Sequence, residues 1–146
     1  MREKQQGNLN FSWPDEQLRF AKKNNMDPIA QHLVYTETLP DWIKKGNFTD
    51  EQLTDLLKKH IYDTVSHYPG VNIWSVVNEA WFYSGQDGSD FWYQRLGKDY
   101  IKMAFETARQ ANPSAILCYS DLLNEVPGRR ATMNAKAGAR RTGKLE

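Results

Sequence analysis

Val71-Asn72-Ile73-Trp74-Ser75-Val76-Val77-Asn78-Glu79 is the stretch on which the fold turns. Residues 71–77 are dominated by β-branched and aromatic side chains, the composition of a strand buried on both faces. The run ends abruptly in a polar pair, Asn78-Glu79. Upstream, Thr49-Asp50-Glu51-Gln52 has the form of a capping box, with threonine at the cap and glutamine three residues on. Behind it Leu53, Leu56, Leu57, Ile61, Val65 and Tyr68 recur at helical spacing, and Pro69-Gly70 stops that helix. Downstream, Ile101, Ala104, Phe105 and Ala108 mark another helix, closed by Asn112-Pro113. Ala115 to Tyr119 then reads as a strand with Ser120-Asp121 at its end. Toward the N-terminus, Pro28 to Tyr35 reads as a further buried strand, and Leu39 to Ile43 as a short helical turn that Gly46 ends. Ser12-Trp13-Pro14-Asp15 reads as a helix start, with Ser12 as the cap and Pro14 in the first turn; this helix runs to about Asn24-Asn25. Strands that alternate with helices imply parallel β/α units joined by right-handed crossovers.

The composition bounds what such a chain does. At 146 residues, with 40% hydrophobic and 12% aromatic residues, it suffices for one domain but not for a complete eight-fold β/α barrel, which needs about 250 residues. A net charge of +1 gives no reason to expect nucleic acid or a membrane surface as partner. Cys118 is the only cysteine and there are three histidines, so no intrachain disulfide forms and a structural zinc site is not expected. Nothing calls for a cofactor. No apolar run approaches a membrane span, and the first ten residues have no signal-peptide core. Residues 128–146 carry six Lys/Arg and one Glu, and beyond Ala131 the only large apolar residues are Met133 and Leu145. We therefore divide the chain into a globular part, 1–133, and a basic tail, 134–146. The tail reads either as a disordered or non-native end or as an ordinary solvated surface segment.

In parallel β/α folds the working residues stand at the C-terminal ends of the strands. Three such positions are visible: Tyr35 to Glu37, Asn78-Glu79 and Ser120-Asp121. A carboxylate that ends an apolar strand loses hydration, which favours the protonated form a general acid needs. Asn78 offers an amide to a substrate hydroxyl, and Trp81, Phe82 and Tyr83 offer flat faces that pack on sugar rings. Carboxylate, amide and aromatics together suggest carbohydrate chemistry. A glutamate in a strand-end loop is also commonly a plain salt-bridge partner, so spacing alone leaves both readings open. The aromatic stretch from Trp81 to Tyr93 reads equally as loop packing or as a substrate platform. His60 and His67, near Lys58 and Lys59 on the long helix, read as solvated.

Trp74-Ser75-Val76-Val77-Asn78-Glu79-Ala80 resembles the acid/base motif WDVVNEA of family 10 glycoside hydrolases. The likeness is collinear over about residues 8–125. Asn10-Phe11-Ser12-Trp13 with Phe20-Ala21-Lys22 resembles the family's NFSW…FAK helix, and Leu39-Pro40-Asp41-Trp42 its LPDW turn. Phe91-Trp92-Tyr93 with Asp99-Tyr100-Ile101 and Ala104-Phe105 resembles its FWY…DYI..AF segment. Asn112-Pro113-Ser114-Ala115 and Tyr119-Ser120-Asp121 resemble its fifth-strand region, usually YND. The resemblance implies α/β architecture, specifically a partial (β/α)8 TIM barrel comprising roughly strands three to five with their helices. It implies retaining endo-β-1,4-xylanase chemistry on a xylan-like polysaccharide, with Glu79 as general acid/base and Asn78 on the sugar 2-hydroxyl. It also implies an internal fragment: the family's nucleophile ends its seventh strand, and Glu37, Asp121 and Glu125 do not match that motif. Family habit points to an extracellular parent protein.

The sequence departs from the family at several positions. Where the third strand usually reads RGHTLVWHSQ, this chain reads Ile29-Ala30-Gln31-His32-Leu33-Val34-Tyr35-Thr36-Glu37-Thr38. The sugar-binding histidine becomes Gln31, the tryptophan Tyr35 and the glutamine Thr38. His32 reaches the sugar only if the register slips by one, and otherwise has a structural role; Tyr35 keeps an aromatic subsite wall. Ser75 stands where the motif has aspartate. The candidate substrate contacts are therefore Asn78, Tyr35, His32 and Trp81. The readings that compete with a hydrolase are a carbohydrate-binding module and an inactive truncated barrel. An open partial barrel also exposes strand edges, from which self-association is expected.

Overall fold

A computed structural model describes residues 9–80 and 90–121. Helix α1 spans Ser12–Lys23. Its start differs from the expected serine cap. Asn10 Oδ1 accepts from both the Ser12 backbone N–H at 3.0 Å and the Ser12 hydroxyl at 2.7 Å. An asparagine carbonyl reaches two residues forward naturally, so a turn at Asn10 leads into the helix, Phe11 holds the N-cap position without a side-chain cap bond, and Ser12 falls inside the first turn. Asp15 at the first turn and Lys22 and Lys23 at the last suit the helix dipole. The helix ends where the sequence places its end: Asn25 has φ 53°, a left-handed conformation that asparagine tolerates better than most residues.

Strand β1 is short, Ile29–Ala30, against an expected strand over 28–35. The chain leaves the ladder at Gln31 and His32, which are joined by a cis peptide bond. It rejoins when Leu33 N–H donates to Ser75 O at 3.1 Å and Val34 N–H to Val76 O at 2.8 Å. A 3-10 turn, Thr36–Thr38, and a short helix α2, Asp41–Lys44, lead to helix α3, Asp50–His67. The capping box is formed: Gln52 N–H donates to Thr49 Oγ1 at 3.2 Å, and Thr49 N–H to Gln52 Oε1 at 2.9 Å. Thr49→Ala removes the acceptor half and is expected to lower stability by about 1 kcal/mol, read as a shift in the urea midpoint at unchanged slope.

Leu53, Leu57, Ile61 and Val65 are all essentially solvent-free on the inner face of α3. Strand β2, Ile73–Asn78, follows and is buried along nearly its whole length. Helix α4, Phe91–Leu96, is a short element capped by Asp90, whose Oδ2 accepts from Tyr93 N–H at 3.1 Å. Helix α5, Asp99–Ala111, leads to strand β3, Ile116–Ser120.

The three strands are parallel and lie in chain order, β1-β2-β3. Helix α3 crosses from β1 to β2 and α5 from β2 to β3, and the two helices pack on each other. Both crossovers therefore cover one face of the sheet. A doubly wound sheet reverses its strand order and carries helices on both faces. Sequential strands with helices on one side are instead the winding of a (β/α)8 barrel, so the architecture is part of such a barrel. The β2–β3 register shifts between Ser75 and Val77. The expected boundary at 133/134 and the basic tail 134–146 lie outside the described residues, as do residues 81–89.

Two side chains differ from expectation. His60 is not solvated: it sits at the edge of the buried stripe of α3, and its Nε2–H donates to Leu33 O at 3.0 Å. Burial holds its imidazole below the usual range, with the Leu33 carbonyl pulling the other way. Trp92, read as either loop packing or sugar platform, is 2% exposed and belongs to the core. The signal for α4 was present in Asp90, a good cap immediately before Phe91-Trp92-Tyr93.

Candidate active site

The C-terminal ends of the strands bring Glu79, Asn78, Tyr35 and His32 into one region. Glu79 follows the last residue of β2. Its backbone N–H donates to Ser120 O at 2.9 Å, tying the end of β2 to β3. Its φ is 54°, a left-handed conformation that costs a non-glycine L-residue about 1–2 kcal/mol. Such strain at a strand end is the kind of local conflict that accumulates at working sites.

The carboxylate of Glu79 is half-buried and accepts a hydrogen bond from the Tyr35 hydroxyl at 2.8 Å. This contact spans 44 residues of sequence. Tyr35 is thus more than a flat wall: its phenol oxygen holds one carboxylate oxygen of Glu79 in place. The ring of His32 meets the Tyr35 ring edge-on, centroids 5.6 Å apart. His32 Nδ1 lies 2.9 Å from Ser75 Oγ, and Ser75 Oγ lies 2.6 Å from Ser120 Oγ. A polar chain therefore runs His32–Ser75–Ser120 across all three strand paths, beside the Tyr35–Glu79 pair. Burial lowers the His32 imidazole pKa, opposed by the negative charge of Glu79. Gln31, the ungapped counterpart of the family's histidine, is exposed. It is His32 that contacts the Tyr35–Glu79 group.

Asn78 is 9% exposed and directly precedes Glu79, and its backbone N–H donates to Val34 O at 3.0 Å. Trp81 lies outside the described residues. Of the other carboxylates, Glu37 is exposed on the 3-10 turn, and Asp121 accepts from the Tyr119 hydroxyl, consistent with an anchoring role for Asp121. Glu125 lies outside the described residues.

Sequence reading missed Asp90. It is 9% exposed and sits beside the site through Thr36, whose hydroxyl donates to it. The Tyr93 and Trp92 backbone N–H groups and the Tyr100 hydroxyl also donate to Asp90. Burial pushes its carboxyl above the usual range despite these donors. Burial, then the charge of Asp90, likewise pushes the Tyr100 hydroxyl well up. Asp90 fastens the residue after Tyr35 to the start of α4 and to α5.

The sequence matches the model of Glycosyl hydrolase family 10 over residues 1–137. The chain belongs to glycosyl hydrolase family 10. It is 38% identical over 131 residues to an endo-1,4-beta-xylanase A of Phanerodontia chrysosporium, a match covering 89% of this chain and 32% of that protein. It is 39% identical over 113 residues to an endo-1,4-beta-xylanase B of Thermotoga neapolitana, covering 77% of this chain and 33% of that one. Its fold resembles native xylanase 10B from Thermotoga maritima, with a TM-score of 0.90 and 34% identity over 98% of this chain and 44% of that chain. It also resembles xylanase 10B from Thermotoga petrophila RKU-1 in complex with xylobiose, with a TM-score of 0.88 and 34% identity, covering 97% and 44%. The chain thus spans about a third of the length of these curated relatives.

Proposed function

We propose that this family 10 chain contributes the acid/base half of a retaining endo-β-1,4-xylanase site acting on a xylan-like polysaccharide. The observation that carries the reading is the Tyr35–Glu79 hydrogen bond at the end of β2, within a chain whose relatives are endo-1,4-beta-xylanases. In this reading Glu79 first protonates the oxygen of the leaving sugar while a second carboxylate attacks the anomeric carbon. Glu79, now ionised, then takes a proton from the water that releases the glycosyl-enzyme. Tyr35 holds Glu79 through both steps, donating to the carboxylate when it is ionised. Asn78 contacts the 2-hydroxyl, and Tyr35, His32 and Trp81 line the sugar site. No carboxylate among the described residues carries the nucleophile motif, and we assign that role to a later barrel strand.

The test is reducing-sugar release from soluble β-1,4-xylan by the purified chain, beside Glu79→Ala. Cleavage by the first and not the second supports the reading. Cleavage by both removes Glu79 from the mechanism. If neither cleaves but xylobiose binds, the chain by itself is a carbohydrate-binding element. Tyr35 separates platform from positioning in the binding arm. Tyr35→Ala is expected to weaken xylobiose binding about tenfold, a change of 1.4 kcal/mol. Tyr35→Phe, which keeps the ring, should stay within about twofold; equal losses in both would show that the hydroxyl rather than the ring binds the sugar.

A further inference from the structure

The hydroxyl of Ser75 on β2 lies between two partners. His32 Nδ1 is 2.9 Å from Ser75 Oγ on one side, and Ser120 Oγ is 2.6 Å from it on the other. The register brings Ser120 there. Ser75 pairs with Cys118 across the β2–β3 ladder, and Ser120, two residues on, returns to the same face of the sheet. Ser75 is 2% exposed, so its hydroxyl must find its partners within the protein. Among the described residues, His32 and Ser120 are those partners.

A hydroxyl has one proton to give and lone pairs with which to accept. Two arrangements therefore satisfy Ser75. In the first, Ser120 donates to Ser75 and Ser75 donates to a bare Nδ1, so His32 carries its proton on Nε2. In the second, Nδ1–H donates to Ser75 and Ser75 donates to Ser120, so Nε2 is bare. Both hold the same protons: each hydroxyl keeps its own and rotates, while the ring moves one proton between its nitrogens through water. An ionised aspartate at position 75, the residue type of the WDVVNEA motif, only accepts. It would hold the proton on Nδ1 and remove the choice. With Nδ1 engaged by the strands, Nε2 is the nitrogen left for a ligand, and among the described residues it has no hydrogen-bond partner. The ring is partly buried, which favours its neutral form, and it stands edge-on to Tyr35, the residue that holds Glu79. A sugar hydroxyl both donates and accepts, so it can pair with either form of the ring.

We propose that Ser75 and Ser120 are positioning residues that leave the proton of a neutral His32 free to sit on either ring nitrogen, so that Nε2 meets a sugar hydroxyl beside Glu79 as donor or as acceptor. The sugar contact rests on the xylanase reading above. The relay of hydroxyls rests on the strand geometry alone.

The test is NMR of the full chain with isotope-labelled histidine nitrogens, the His32 signals being those lost in His32→Gln. At about pH 8 an ordinary imidazole is neutral, so the shift of each ring nitrogen reports which one holds the proton. The unsubstituted chain is expected to lie between the two limits. Ser120→Ala leaves the Ser75 hydroxyl no acceptor but Nδ1, and should move His32 toward the form protonated on Nε2. Ser75→Asp should move it toward the form protonated on Nδ1. Simple loosening of the strands would move both variants the same way. Ser120→Ala is a small change at a partly buried position, so it decides the relay even where a buried charge at position 75 prevents folding. An unsubstituted chain already at one limit, or a Ser120→Ala chain that does not move toward Nε2–H, overturns the proposal. Xylobiose is then added. Its binding is expected to draw His32 of the unsubstituted chain to one limit, and to be about fivefold weaker in the variant held at the other, the loss of about one hydrogen bond. Bound xylobiose that leaves both nitrogens unmoved overturns the sugar contact. If xylobiose does not bind at all, the sugar contact falls with the xylanase reading, and the relay stands or falls on the two variants.

Discussion

Under the acid/base role proposed for it, Glu79→Ala is expected to lower xylan cleavage by about 10²- to 10⁴-fold, the usual contribution of a positioned general acid/base. The measurement applies to the chain or to a longer protein that contains it. The loss should depend on the leaving group. A xylan leaving group departs as an alkoxide unless protonated, so its first step needs the proton from Glu79. An aryl xyloside with an acidic phenol needs little such help, and its first step should be far less affected. The second step needs Glu79 to deprotonate water. A small anionic nucleophile such as azide carries no proton to remove, and should restore turnover of the aryl substrate. If Glu79→Ala cleaves xylan within tenfold of the unsubstituted protein, the assignment fails. The backbone supplies a second readout. With φ at 54°, Glu79→Gly relieves strain of about 1–2 kcal/mol. This variant should lose activity as fully as Glu79→Ala while melting higher than it. A residue kept for folding would not show that separation.

The parts of this structure that were legible in the sequence are those set by local pattern. The apolar runs ending at Asn78 and Tyr119, the Thr49–Gln52 capping box and the inner stripe of α3 each need only neighbours within a few residues. What was hidden depends on contacts across the chain. The ladder of β1 breaks at Gln31-His32, a polar pair between Ile29-Ala30 and Leu33-Val34 that reads equally well as part of a continuous strand. Ser12 has a good capping side chain, and only the geometry shows that Phe11 takes the cap position while Asn10 bonds Ser12. His60 resembles a solvated helical histidine until Leu33 O arrives from 27 residues upstream. In the site, the motif pointed to Glu79, but no spacing rule reveals that Tyr35 donates to it. Nor does the sequence show that Ser75, in place of aspartate, joins His32 to Ser120.

Asp90 is the residue whose loss is expected to damage the fold most among these polar contacts. Donors from Thr36, Tyr93, Trp92 and Tyr100 converge on one buried carboxyl. Asp90→Ala leaves them without an acceptor in a place that water reaches poorly. We expect a loss of about 3 kcal/mol, since each orphaned buried donor costs about 1–3 kcal/mol and some will relax. Asp90→Asn keeps an acceptor oxygen, and hydroxyl groups at Thr36 and Tyr100 can turn to accept from the amide. At pH 7 it should remain within about 1 kcal/mol of the unsubstituted chain. The pH dependence then separates charge from hydrogen bonding. Burial raises the folded-state pKa of Asp90 above its unfolded value, so the native state binds this proton more tightly than the unfolded state does. The stabilisation this gives is complete below the unfolded value, near 3.9, and is lost as pH rises through the folded value. Asparagine has no such loss. The stability of Asp90→Asn relative to the unsubstituted chain should therefore improve between pH 3.5 and pH 7. Urea unfolding of the two proteins at both pH values reads this difference directly. A relative stability that falls with rising pH would mean that the four donors outweigh burial, and that the carboxylate at Asp90 is held as an anion for the sake of the loop it fastens beside Tyr35.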